Sequence, residues 1–96
     1  MFYVAKNHQS SKTSVGFSNT WYVVGFEAKK MRDSHVANSD DMATKCINSK
    51  DVIKYGYNVG KLSFFDANGH YHQYMGNGEF VKCDGMSIDA ITGLAV

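Results

Sequence analysis

The sequence predicts an α+β domain spanning residues 1–96: one antiparallel sheet ending in a C-terminal three-stranded meander, with two short helices packed on one face. Three observations carry this expectation. Residues 61–83, KLSFFDANGHYHQYMGNGEFVKC, hold three strand-like runs separated by Asp66-Ala67-Asn68-Gly69 and by Gly76-Asn77-Gly78. Asn and Gly at those points supply the positive φ angles of tight hairpins. Six Tyr, six Phe and one Trp favour strands. Between the early and late strand runs, two segments drop the two-residue period and take up helical spacing.

Residues 1–6 alternate, with Phe2 and Val4 opposite Tyr3 and Ala5, and read as a first strand. Residues 7–19 (NHQSSKTSVGFSN) are polar and rich in Ser, the composition of a long exposed loop. The run TWYVVGFE, residues 20–27, is apolar on both sides and predicts a central strand. Over residues 28–38, Ala28, Met31, His35 and Val36 share one face of a short helix, leaving Lys29, Lys30, Arg32 and Asp33 in water. Ser39-Asp40-Asp41 breaks that pattern, and residues 42–47 fit a short strand better than more helix. Ser49 is a suitable N-cap and Asp51 suits a first turn, so a second helix is expected from Lys50 to about Tyr57, ended by Gly56 and Gly60. It would bury Val52, Ile53 and a tyrosine. In the tail, Ser87 is placed to cap one helical turn ending at Gly93. The expected core is Phe64 or Phe65 with Leu62, Val23, Val24, Phe26, Ile47 and Ile53.

Composition excludes several function classes. Ten Lys and Arg against nine Asp and Glu leave a net charge of +1, so no global field recruits a polyanion. Cys46 and Cys83 form no CxxC pair and read as reduced, semi-buried thiols. The opening MFYVAKNHQ lacks the pattern of a secretory signal, and no apolar run approaches the roughly 20 residues that span a bilayer. A cytoplasmic location without membrane partners is expected.

Chemistry concentrates on the meander, where His70, His72 and Tyr74 project from one face of a strand. Two imidazoles two residues apart can share a metal ion, but a third ligand must come from Asp66, His8, His35, Cys46 or Cys83. The DANG turn admits two registers. A type I turn with Gly69 as the bulge pairs Asp66 with His70; a two-residue Asn-Gly turn pairs Ala67 with His70 instead. Polar residues on the wetter side of a hairpin are the commoner outcome, so no metal and no cofactor is expected. Catalysis is not expected either. No GxSxG motif surrounds a serine, Asp40 and Asp41 suit a turn better than acid–base work, and GNGEF is a turn rather than a phosphate loop. A basic patch of Lys29, Lys30 and Arg32, extended by Lys45, Lys50 and Lys54, offers a nucleic-acid alternative that Asp33, Asp40, Asp41 and Asp51 weaken.

Protein binding is left as the leading function. His70, His72, Tyr74 and Phe65 are the expected contact residues, with aromatic anchors on the hairpin and an adaptable loop beside it. In its one-domain plan, its lack of enzymatic motifs and segments such as WYVVGFEAKKMRDSHV, the chain is similar in style to short phage-encoded accessory proteins. That resemblance implies an inhibitor that docks on a host enzyme or defence complex in the host cytoplasm and blocks it.

Overall fold

The computed structural model describes residues 1–7, 21–39 and 43–96. Within them run β1 (Phe2–Asn7), β2 (Trp21–Phe26), α1 (Lys29–Asn38), β3 (Ala43–Ile47), β4 (Phe64–Phe65), β5 (His70–Gly76) and β6 (Glu79–Ser87). The strands form one sheet in the order β3-β1-β2-β4-β5-β6. The expected loop over residues 8–19 and the Asp40-Asp41 break lie outside the described residues. Asn7, expected in that loop, belongs to β1.

The α+β class holds, with sheet predominating, but the sheet is mixed rather than antiparallel. β2 pairs with β4 in parallel, Gly25 opposite Phe64 and Phe26 opposite Phe65. The cause is the route of the chain. After β2 it runs through α1 on one face, forms β3 at the far edge beyond β1, and returns across the opposite face. It therefore arrives beside β2 in the same direction, tied by Gly25 N–H to Ser63 O at 3.1 Å and Glu27 N–H to Phe65 O at 3.0 Å. β5 then pairs antiparallel with both β4 and β6.

Each sheet face has its own core. On one, Met31 of α1 packs over Val4, Val24, Phe26 and Ile88. On the other, Val52 and Leu62 cover Tyr3, Ala5, Val23 and Ile47. β1 and β2 are thus sandwiched, as the doubly apolar TWYVVGFE run requires.

The second expected helix is a four-residue 3-10 turn, Val52–Tyr55, and it lies on the face opposite α1. Gly56, at φ 86°, ends it after one turn, its N–H bonding back to Ile53 O at 3.0 Å. Ser49 does not cap it; Asp51 is its N-cap residue without a side-chain capping bond, and Asn48 closes the preceding turn by accepting the Asp51 N–H at 3.0 Å. One turn buries only one of two adjacent residues: Val52 is fully buried, whereas Ile53 is 71% exposed and leaves the expected core. In the tail the expected turn ending at Gly93 forms, Gly93 N–H bonding Asp89 O at 2.8 Å, but Ser87 does not cap it. Asp89 organises it instead, accepting the N–H groups of Ile91 and Thr92 at 2.7 and 3.0 Å, and Ile88 bridges Ala95. Gly93 docks this tail on α1. A β-carbon there would stand 2.6 Å from the Met31 carbonyl, so no other residue allows the approach. Among the described residues, no helix is long and apolar enough to cross a membrane.

Candidate functional site

The DANG turn takes the first of its two registers. Gly69 is left-handed at φ 87°, its N–H bonds Asp66 O at 2.9 Å, and Asp66 N–H bonds His70 O at 2.9 Å. This type I turn with a glycine bulge folds the Asp66 carboxylate inward over the strand that follows. Oδ1 accepts the N–H groups of Asn68 and His70 at 2.9 and 3.0 Å, and Oδ2 accepts Nε2–H of His72 at 2.7 Å. Partial burial pulls the Asp66 carboxyl upward. The bonds from His72 and the two amides outweigh it and lower its pKa to about 2.

Register continues the site sideways. His72 faces Phe64 on β4 and Lys82 on β6, and Tyr74 faces Phe80. The His72 ring stacks on Phe64 at 4.8 Å and 6° between planes. Phe80 meets Phe64 edge-on at 5.5 Å and Tyr74 at 5.1 Å. Tyr74 Oη accepts the Gly78 N–H at 3.0 Å, and its backbone N–H donates to Ser63 Oγ at 3.0 Å. Four rings in offset or edge contact thus form a ladder with fixed rotamers. Because β4 is two residues long, the outer half of the β5–β6 hairpin has no third strand beside it among the described residues, and Met75, Phe80 and Val81 are 57%, 40% and 49% exposed.

Of the expected contact residues, the structure brings His72 and Tyr74 into this ladder. His70 stands at its edge, its Nδ1 3.9 Å from Asp66 Oδ1. Phe65 is not part of it. It points to the opposite face, stacked on Phe26 at 5.6 Å and tilted against Tyr71 at 5.0 Å within the helix-side core. Consecutive strand residues face opposite ways, so Phe64 takes the place expected for Phe65. Phe64 and Phe80 are the ladder members that the sequence reading missed. The strand period carried the signal for Phe64, while Phe80 depended on a bulge.

The other candidates disperse. Lys29 and Lys30 are exposed on α1, but Arg32 pairs with Asp33 at 2.6 Å and lies over the Phe2 ring at 5.4 Å. Lys45 projects from the opposite sheet face, over the rings of Trp21 and Tyr55 at 4.9 and 5.4 Å, and Lys54 pairs with Asp51. No single basic stripe joins them. Cys46 and Cys83 are both free thiols, on the two outermost strands, five strand spacings or roughly 24 Å apart. Cys46 is exposed rather than semi-buried. Cys83 pairs with Tyr71, so it faces away from His72 and forms no Cys–His couple. His8 lies outside the described residues. Among the described residues, no three His, Cys, Asp or Glu side chains are grouped to hold a metal.

One polar cluster was not anticipated. His35 of α1 is buried against the sheet, its Nδ1–H donating to the Gly93 carbonyl and its Nε2 2.7 Å from Lys6 Nζ. Burial lowers the His35 pKa, with Lys6 adding to the effect against the Gly93 bond; burial also lowers that of Lys6. The signal lay in the sequence, because His35 shares the apolar helix face with Met31. Comparison with protein-family models, curated proteins and solved structures finds no match.

Proposed function

We propose that the protein is a binding module that docks another protein on the ring ladder of the β5–β6 hairpin, and that it has no catalytic role. The observation carrying this reading is the ladder itself. Phe64, His72, Tyr74 and Phe80 hold one another in place before any partner arrives, so little side-chain entropy remains to be lost on binding. The edge strand β6 adds a row of backbone groups on which a partner strand can pair. An inhibitory role against a host enzyme or defence complex, in a host cytoplasm, follows from the likeness to phage accessory proteins and belongs to the same proposal. Nucleic-acid binding is the weaker reading, since the cations split between two faces and three of them are already engaged.

Capture from a bacterial lysate by the tagged chain, repeated with two variants, tests the reading. Tyr74→Ala should weaken the captured interaction by roughly 1–3 kcal/mol with little change in melting temperature. Tyr71→Ala, on the core side, should lower the melting temperature and spare binding. A partner retained by Tyr74→Ala and lost by Tyr71→Ala would move the site to the helix side of the sheet.

A further inference from the structure

The helix side holds a separate feature that the docking reading does not use. Between α1, the sheet and the C-terminal tail lies a cleft of about 710 Å³, within the size range of small-molecule sites. Tyr22, Phe65, Tyr71, Met86 and Leu94 supply its apolar walls, and Lys6 and His35 line it together. We propose that this cleft binds a small amphipathic carboxylate, its anionic end on the Lys6 ammonium and its hydrocarbon body between Phe65, Tyr71 and Met86.

The Gly93 carbonyl can only accept, so Nδ1 of His35 carries the proton and Nε2 presents a lone pair to Lys6 Nζ at 2.7 Å. Lys6 is therefore held by a neutral group. Among the described residues, no carboxylate lies within ion-pair distance of it. An ammonium in partly buried surroundings is stabilised most by an anion, and its two remaining N–H donors match one carboxylate. The walls then choose the kind of anion. A single lysine without Arg beside it suits a monoanion better than a phosphate, and three aromatic rings with Met86 and Leu94 suit a hydrocarbon.

Octanoate, octanol and octylammonium are the probes, titrated into the full chain and followed by NMR of the His35 ring and the Met86 methyl. Octanoate should shift both signals and bind roughly tenfold or more tightly than octanol, and octylammonium should bind least. In Lys6→Gln, octanoate and octanol should become equivalent. Equal binding of the three probes to the native chain, tighter binding of octylammonium, or octanoate shifts confined to residues outside the cleft would overturn the proposal, whether or not Lys6→Gln folds. Tyr74→Ala should leave octanoate binding unchanged, which separates this site from the ring ladder.

Discussion

His35 and His72 occupy opposite faces of one sheet, and each donates a ring N–H to an oxygen, yet the oxygens differ in kind. His35 meets a backbone carbonyl under the tail and a lysine on its other side. His72 meets the Asp66 carboxylate and lies flat on Phe64 in a partly exposed position. A buried imidazole between a carbonyl and a cation is held neutral, and it locks α1, β1 and the tail together. An imidazole on a carboxylate has its orientation fixed while its ring stays available at the surface. The helix side is thus tied by a polar clasp beside its cleft, whereas among the described residues the other side is covered by Val52 and Leu62 with the rings of Trp21, Tyr55 and Tyr57, and the hairpin is left uncovered. On the proposed docking function, the main helix-side packing and protein recognition fall in different regions.

The largest effect that tests this division is Phe26→Ala. Phe26 is fully buried and its ring meets both His35 and Phe65, at 5.2 and 5.6 Å. Its truncation should cost about 3–5 kcal/mol in urea unfolding, as for buried aromatic rings generally. A loss below about 1 kcal/mol would show that the helix side does not carry the fold.

Acid titration probes the other face. Asp66 has a folded pKa of about 2 against an ordinary value of 3.8. A depressed carboxylate adds stability that is fully present above the ordinary value and is lost as pH falls from about 4 through about 2. For a carboxylate still partly open to solvent, the loss should be about 1–2 kcal/mol after screening. Asp66→Asn should remove this limb of the stability–pH curve and leave the region above it parallel to that of the native chain. An unchanged acid limb would mean that the carboxylate's bonds contribute nothing net.

Several features were legible in the sequence because each has a short-range cause. The two-residue period marked β1, the doubly apolar run marked β2, the Met31–His35 spacing marked α1, and the DANG turn marked its hairpin while leaving two registers open. What was not legible depends on long-range geometry. The parallel β2–β4 pair arises from the path of residues 27–63, which no local pattern states. Phe80 comes beside Tyr74 through the bulge at Met75; an unbroken ladder from the Asn77-Gly78 turn would have put Val81 there. The Lys6–His35 clasp joins residues 29 apart, and only His35 carried a visible sign.

The smallest expected effect is the sharpest test of how the open face is built. A regular helix over residues 50–57 would bury both Val52 and Ile53, whereas a single 3-10 turn buries the first and exposes the second. Ile53→Ala should therefore change stability by less than about 0.5 kcal/mol, the range of surface substitutions. Val52→Ala, one residue earlier and fully buried against Tyr3 and Val23, should cost about 1–3 kcal/mol. Urea unfolding of the two variants side by side makes the contrast internal, since both shorten a β-branched side chain in the same turn and alter its propensity alike. A cost above about 2 kcal/mol for Ile53→Ala would mean that a longer helix covers this face, and the open surface beside the hairpin would shrink accordingly.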